Sequence, residues 1–401
     1  MKPVWFVVLG SALAATLLIK RLRMAKSKIF DTIRSTDVSG KLRTESTFAY
    51  LNRSARPGSA ASRVLLETWL SRVPVAEHAD FCSRFRSGDN VQFTSALQEL
   101  ALHELLRRQG CKLRFHPKVS GTTKQPDFNV RQPKGPEFLL EACTSTEIAS
   151  GPESSPRADR IRDFLQGLDL QGYLLGIDEL KEGSKDLQQK LLARHIDDGI
   201  KAAAAGYADK SISIPLLTTD DGWRIKLTAF PTARYGTRTG TVMQEAWGRT
   251  WDGPSYPLRD SLKKKAGRYG NQLAMPYVIA VNSCDVMLTD RDFEETLFGA
   301  RPDIVVTDSR LKRGFWGTAT APNHRRVSAV LFTKNLCEPT LLMGQVYACL
   351  YLNPWPEQPY EGVLTKLPTF RFEDGILREQ AGAPLHKLLK LRLSDSALWN
   401  K

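Results

Sequence analysis

The residues from Pro276 to Asn282 read PYVIAVN, a continuous apolar run of strand length. Such a run is typical of a strand buried within a sheet, because its side chains must be covered whichever face they point to. A helix is predicted directly before it, over Leu258–Tyr269. The chain is therefore expected to build a sheet with at least one buried strand and a helix that leads into it.

The strongest helical pattern lies earlier, in Val91–Gln109, where apolar side chains recur at helical spacing, arginines occupy the last turn and Gly110 ends the run. Three short strand candidates follow it, separated by turn-forming residues: Lys112–His116, Asp127–Arg131 and Glu137–Cys143. With the helix and strand named above, the element order is α-β-β-β-α-β. That order predicts a mixed α/β fold in which helices pack against a sheet.

Residues 146–255 interrupt this order and are predicted to be a large insertion. Two further strand candidates, Val327–Thr333 and Gln345–Leu352, add strands toward the C-terminus. An ordinary balance of 42% apolar and 25% charged residues excludes wholesale disorder. The predicted segments are an anchor at 1–23, a basic linker at 24–63, a domain at 64–375 with its core at about 91–145 and 256–300, and a basic extension at 376–401.

The excess of positive charge is concentrated at the N-terminus. Of a net charge of +14, residues 1–63 carry +9, from 12 basic and 3 acidic side chains. The apolar run at 4–19 is followed by a basic cluster, which predicts membrane contact through this run and a domain tethered on the cytoplasmic side of the inner membrane. Two alternatives stay open: a cleaved signal peptide with small residues at 11–14, and a biological start at Met24.

Two carboxylates stand on neighbouring predicted strands. Asp127 follows Pro126 at the start of one strand, and Glu141 lies near the end of the next, apolar strand. Adjacent carboxylates repel each other unless they share a proton or a cation, and oxygen ligands suit Mg²⁺ or Mn²⁺. Glu99, on the preceding helix, is a candidate third ligand. The alternative is that Asp127 only caps a turn, since Pro-Asp is a common turn dipeptide.

This arrangement resembles the PD-(D/E)XK nuclease superfamily, which has the restriction-endonuclease-like fold. The core of that fold is a helix, three strands, a second helix and a fourth strand, the order predicted above. Residue by residue, Glu99 would match the glutamate of the first helix, Pro126 and Asp127 the PD pair, and Glu141 the acidic residue of (D/E)XK. The wider stretch 44–355 resembles a bacterial branch of proteins built around this core.

The sequence departs from the superfamily's motif at Cys143, where the motif has lysine. A thiol lacks the fixed positive charge that orients the attacking water and stabilises the phosphate in the transition state. In this superfamily the lysine sometimes lies on the second helix, which here carries Lys263, Lys264 and Lys265. We expect Lys265 to be the substitute, with Tyr269 one turn later as a supporting polar contact. The alternative is that the three lysines form a solvated helix face.

The resemblance implies a divalent-metal-dependent endonuclease that hydrolyses phosphodiester bonds, with DNA ahead of RNA as its partner. Asp127 and Glu141 would hold Mg²⁺ (or Mn²⁺), Glu99 would assist, and Lys265 would help to orient a water for in-line attack. Two other functions are alternatives. One is a nuclease-like module that binds nucleic acid without cleaving it, and the other is a membrane-tethered scaffold whose basic tail contacts anionic lipids.

Overall fold

The computed structural model describes residues 28–32, 36–145, 155–170, 172–204, 211–231, 241–243, 255–269, 273–284, 288–299, 314–373 and 376–393. The chain divides into two compact units. The first contains residues 1–39, 47–147 and 253–401, and the second contains 40–46 and 148–252. The predicted anchor at 1–23 lies outside the described residues. None of the helices in the described part of the chain is long and apolar enough to cross a membrane.

Twelve strands are present among the described residues: β1 Lys112–Phe115, β2 Phe128–Arg131, β3 Phe138–Ser145, β4 Tyr173–Lys181, β5 Ile212–Thr218, β6 Arg224–Pro231, β7 Thr241–Met243, β8 Tyr277–Ser283, β9 Val327–Lys334, β10 Tyr347–Leu352, β11 Thr369–Glu373 and β12 Ile376–Gln380.

The α-helices in the same described ranges are α1 Thr47–Arg53, α2 Pro57–Leu70, α3 His78–Arg86, α4 Asn90–Arg108, α5 Pro156–Gly167, α6 Gln189–Ala204, α7 Ser255–Ala266, α8 Asp290–Phe298, α9 Glu338–Leu342 and α10 Leu385–Leu388, with short 3₁₀ turns at Val75–Glu77 and Val363–Lys366.

The first unit is built on one eight-stranded mixed sheet with the spatial order β1-β2-β3-β8-β9-β10-β11-β12. The first three strands are antiparallel, whereas β3, β8 and β9 run parallel to one another. Every residue of β8 is buried, as the apolar run at 276–282 predicted. The α/β class predicted from the element order is therefore confirmed, and β9 to β12 extend the sheet beyond β8.

Helices cover both faces of this central sheet. The apolar side of α4 packs with β3 and β8 in one core cluster that includes Leu100, Leu140 and Ala280. On the other face, the ring of Phe293 in α8 stacks on Phe332 of β9 with centroids 3.8 Å apart. Because a parallel strand in this position is covered on both sides, its side chains can be continuously apolar.

Two predicted boundaries are wrong. The segment 24–63 was expected to be a linker, but α1 lies within it and α2 begins inside it, at Pro57. Proline is well suited to the first turn of a helix, where its missing N–H costs nothing, and Ser59 and Ser62 are buried because small side chains allow close packing. The boundary at 375/376 divides a hairpin, since β11 and β12 pair antiparallel.

The second unit has its own sheet and core. Its strands lie in the order β5-β6-β4-β7, with β5, β6 and β4 antiparallel and β7 parallel to β4. Apolar side chains of α5, α6 and the sheet form a separate cluster around the fully buried Trp223. Its indole N–H donates to the Lys185 carbonyl at 2.7 Å, which satisfies the one polar group of that side chain.

A buried carboxylate anchors α4 in the first unit. The side chain of Glu104 is 0% exposed and pairs with Arg72, Arg107 and Arg108. Burial alone would raise the pKa of Glu104, but the hydrogen bonds from Arg107 and Arg108 and the charge of Arg72 lower it below its ordinary value. The ionised carboxylate therefore stabilises the folded state above its ordinary pKa, and this contribution is lost as the pH falls through the lowered value.

We predict that Glu104→Gln destabilises the first unit by about 3–5 kcal/mol at neutral pH, because it leaves three arginines without their charged partner. The control is Glu179→Gln, which breaks an exposed pair with Arg224 in the second unit and should leave stability nearly unchanged. Chemical denaturation of both variants measures the difference. The deficit of Glu104→Gln should shrink in acid, and equal stability of the two variants at pH 7 would contradict this role.

Candidate active site

The register of the β2–β3 hairpin brings the two predicted carboxylates together. Asn129 pairs with Leu139 and Phe128 with Leu140, so that the next pair in the same register is Asp127 and Glu141. Residues directly opposite each other on antiparallel strands point to the same face of the sheet. Asp127 is also fixed to the neighbouring strand, since its Oδ2 accepts a hydrogen bond from the N–H of Ala142 at 2.6 Å.

The Glu141 carboxylate is surrounded by donors from α7 and the turn that follows it. Its side chain is only 1% exposed, although it lies on an otherwise apolar strand. Lys265 Nζ and Arg268 Nη1 approach Oε1 at 2.6 and 2.8 Å, and the Tyr269 hydroxyl donates to Oε2. The Tyr269 oxygen also lies 3.1 Å from the carbonyl oxygen of Gln125. Two cations and one phenol thus offset the burial of this single charge.

Packing of α7 explains why these donors reach Glu141. Leu258 and Leu262 are buried along one stripe of the helix, and Tyr269 continues that stripe beyond its end. The Tyr269 ring packs edge-on against Tyr277 of β8 with centroids 5.5 Å apart, and the Tyr277 hydroxyl donates to the Lys265 carbonyl at 3.2 Å. Lys265 and Arg268 are three positions apart and therefore lie on one side of the chain.

Asp127 has far fewer stabilising partners than Glu141. Burial, followed by the negative charges of Glu141 and Glu99, raises the pKa of Asp127 to about 8. The hydrogen bond from Ala142 and the charge of Lys265 only partly oppose this shift. Asp127 therefore keeps its proton to a higher pH than an ordinary aspartic acid does. Such a pKa marks a site where a cation would be stabilised by replacing that proton.

Glu99 lies near this pair but is held by another residue. Arg84 Nη1 and Nη2 bind its two carboxylate oxygens at 2.6 and 2.8 Å, and Arg84 also contacts Asp80 at 2.9 Å. Glu99 is close enough to raise the pKa of Asp127, so it belongs to the same electrostatic environment. Its role as a third metal ligand stays a prediction, and it requires Arg84 to move.

Cys143 lies two residues after Glu141 on the same strand and is buried. Burial raises the pKa of the Cys143 thiol, so the side chain is an apolar group and not an activated nucleophile. A cation next to Glu141 is supplied by Lys265 on α7, whose Nζ lies 2.6 Å from Oε1. Its role as the substitute for the lysine of the E-x-K motif stays a prediction.

The donors present can be compared with what a divalent cation needs. Within the described residues, no group of three or more His, Cys, Asp and Glu side chains is arranged to hold a metal ion. Mg²⁺ commonly uses only one or two carboxylates and completes its shell with water and substrate phosphate. Asp127 and Glu141 are the oxygen pair available for that mode, and Glu141 would have to exchange some of its bonds to Lys265, Arg268 and Tyr269 for the cation. A closed site with three protein carboxylates is not formed among the described residues, because Arg84 binds Glu99.

Two residues of this environment escaped the prediction. Arg268 contacts Glu141 as directly as Lys265 does, and its only signal in the sequence is its position three residues after Lys265. Arg84 has a weaker signal, a spacing of four residues from Asp80 on α3. Neither spacing indicates which carboxylate across the fold the guanidinium will bind.

No protein-family model, curated protein or solved structure matches this chain. The structure therefore describes the site without a relative whose activity could be transferred to it. The resemblance to the PD-(D/E)XK superfamily depends on the residues and the element order alone.

The raised pKa of Asp127 predicts how stability changes with pH. The folded state retains a proton up to about pH 8 that the unfolded chain releases near pH 4, so wild-type stability should fall as the pH rises across this window. Asp127→Asn keeps an acceptor for the Ala142 N–H but does not titrate. As the pH rises from 5 to 8, the thermal unfolding midpoint of this variant should therefore increase by several degrees relative to that of the wild type, at about 2–4 °C per kcal/mol. Parallel curves for the two proteins would show that Asp127 is ionised throughout.

Proposed function

We propose that this protein is a divalent-metal-dependent nuclease that hydrolyses phosphodiester bonds, with a restriction-endonuclease-like core and DNA as the first substrate to test. The observation that carries the proposal is the close approach of Lys265 to the carboxylate pair. Lys265 Nζ lies 2.6 Å from Glu141 Oε1, and Asp127 is the next residue opposite Glu141 in the β2–β3 register. The order α4-β1-β2-β3-α7-β8 supports it, because it is the element order expected of such a core. Glu99, Asp127, Glu141 and Lys265 lie on or next to these elements, in the expected order along the chain.

Each residue has a distinct task in this proposal. Asp127 and Glu141 would hold Mg²⁺ or Mn²⁺, which when bound lowers the pKa of a coordinated water and neutralises charge on the leaving oxygen. Lys265 is 20% exposed, so its ammonium can contact both Glu141 and a phosphate that enters from solvent. In that position it would orient the attacking water and stabilise the added negative charge of the phosphate.

Arg268 and Tyr269 act on Glu141 rather than on the substrate. The Tyr269 hydroxyl lies between Glu141 and the Gln125 carbonyl and so fixes the carboxylate relative to the segment that precedes Asp127. Arg268 shares Oε1 with Lys265, so that Lys265 can turn toward a phosphate without leaving Glu141 unpaired. This second cation supports a catalytic role for Lys265.

A binding module without catalysis is the second candidate. Cys143 occupies the position of the E-x-K lysine, and Lys265 already bonds to Glu141, which is what a purely structural ion pair would look like. Such a protein would bind nucleic acid with a steep dependence on salt but would not cleave it with any divalent metal. A scaffold tethered through residues 1–23 also stays a prediction, since those residues lie outside the described chain.

We predict that the full-length protein cleaves plasmid or linear DNA in Mg²⁺ or Mn²⁺, that EDTA stops the reaction, and that Asp127→Asn lowers the rate by at least about 10³-fold because the metal loses a charged ligand. Gel assays of cleavage rate measure this, and circular dichroism verifies folding. Salt-sensitive DNA binding with no cleavage under these conditions would favour the binding module. Metal-dependent cleavage that survives Asp127→Asn would refute the assignment of the site.

Lys265 and its neighbour on α7 offer a matched pair of variants. Lys265→Ala should lower the cleavage rate by about 10²–10³-fold, because a preorganised positive charge is removed next to the reacting phosphate. It should leave folding intact, since Arg268 and Tyr269 still pair with Glu141. Lys264→Ala removes the same charge from an exposed position and should change the rate less than about threefold. Equal losses for the two variants would show that only the general charge of α7 matters.

A further inference from the structure

The loop that joins β1 to β2 begins and ends beside Asp127. Phe115 pairs with Phe128 in the register of these strands, so that His116 is the residue opposite Asp127. The N–H of His116 donates a hydrogen bond to the Asp127 carbonyl at 3.2 Å. The β1–β2 loop (residues 117–126) is closed by this pair. Its position is therefore fixed by the strand end that carries one of the two candidate carboxylates.

Both ends of the β1–β2 loop are held in place. Pro117 and Pro126 are buried, and a proline ring fixes φ and leaves no N–H that needs a partner. The Tyr269 hydroxyl, which donates to Glu141, has its oxygen 3.1 Å from the carbonyl oxygen of Gln125. The loop therefore ends next to the second candidate carboxylate as well, and its middle residues project from a rigid base.

The middle of the β1–β2 loop is largely exposed and positively charged. Residues 118–125 read KVSGTTKQ, with two lysines, three hydroxyl side chains and no acidic or aromatic residue. Lys118 and Lys124 are exposed, and in the described part of the chain neither lies within ion-pair distance of a carboxylate. Glu77 lies at the base of the loop, 3.9 Å from His116 Nε2. The loop thus presents two positive charges that an anion from solvent can reach.

Cations of α7 and the turn after it border the same two carboxylates. Lys265 and Arg268 contact Glu141, and their side chains are 20% and 37% exposed. Successive phosphates of one DNA strand are about 3.4 Å apart along the helix axis, and a loop of about ten residues extends at most about 17 Å from its ends. A strand with one phosphate at Lys265 would therefore bring neighbouring phosphates within reach of the β1–β2 loop.

We propose that the β1–β2 loop binds the phosphate backbone of nucleic acid beside the bond to be cleaved, through Lys118 and Lys124. This inference rests on the proposed function and identifies how the substrate is held. Lysine and Ser or Thr side chains commonly contact phosphates, and such contacts position nucleic acid without reading its bases. The loop has no aromatic ring on which a base could stack. Its contribution to binding is therefore independent of base sequence.

The first test measures DNA binding by the full-length protein in EDTA, so that cleavage does not interfere. Fluorescence anisotropy of a labelled duplex gives Kd over a range of salt concentrations. Lys118→Ala combined with Lys124→Ala should weaken binding at least about tenfold at about 0.1 M salt. The slope of log K against log salt should fall by about 2, since each lost phosphate contact releases about one counterion fewer. Two duplexes of unrelated sequence should show the same loss.

The matched control is Lys112→Ala combined with Lys134→Ala. These lysines are also exposed, and they lie at the opposite end of the same strands, at the start of β1 and in the turn between β2 and β3. The control removes the same charge from the same unit, so its Kd should change less than about threefold. Circular dichroism verifies that both double variants are folded. Equal weakening in the two double variants, or a wild type that binds no DNA, would overturn the proposal.

Cleavage assays in Mg²⁺ or Mn²⁺ separate failure of the loop from failure of the proposed function. The loop variant should raise KM by about the same factor as Kd and keep kcat within about threefold, because its lysines contact phosphates outside the reacting bond. Cleavage by the wild type with unchanged KM in the loop variant would overturn the role of the loop and leave the nuclease assignment standing. Loop-dependent binding without any cleavage would support the loop and refute the nuclease assignment.

Discussion

The candidate active site of the first unit depends on one buried negative charge, the carboxylate of Glu141. It lies on β3, next to the fully buried β8, and is 1% exposed. An isolated carboxylate in such a place would be strongly destabilising, so the fold must bring donors to it. α7 does this, because its buried stripe and the Tyr269–Tyr277 contact place Lys265 and Arg268 at the same oxygen. The polar site is thus a consequence of how α7 packs on the sheet.

The hydrogen-bond donors are divided unequally between the two carboxylates, and this inequality determines what the site can do chemically. Glu141 takes two cations and a hydroxyl, whereas Asp127 keeps one backbone N–H and faces the charges of Glu141 and Glu99. The pKa of Asp127 is therefore raised, and Asp127 holds its proton to a higher pH than an ordinary aspartic acid does. A divalent cation in that position would neutralise the charge of both carboxylates, whereas a proton neutralises only one.

Much of this arrangement follows from the sequence, because local patterns specify it. Periodicity and apolar runs predicted α4, the three short strands and β8, and the resemblance to a nuclease motif directed attention to Lys265, which lies 124 residues from Glu141. The strand order beyond β8 was not predictable, because contacts between distant parts of the chain decide it. The pairing of Arg84 with Glu99 was not predictable either, because a charged residue in a helical pattern usually indicates a solvated face and not a specific partner. The linker prediction over α1 and α2 was wrong for a related reason. Small polar residues such as Ser59 resemble a linker in composition, yet they allow tight helix packing.

The central claim is that Asp127 and Glu141 form a cation site in which the ion replaces a proton. Calorimetric titration of the full-length protein with Mn²⁺ at pH 7, repeated in buffers of different ionisation enthalpy, counts both the ions bound and the protons released. The account predicts that binding one ion at this site releases close to one proton, and that Asp127→Asn abolishes the binding. Absence of Mn²⁺ binding at millimolar concentrations, or binding without proton release that persists in Asp127→Asn, would contradict it.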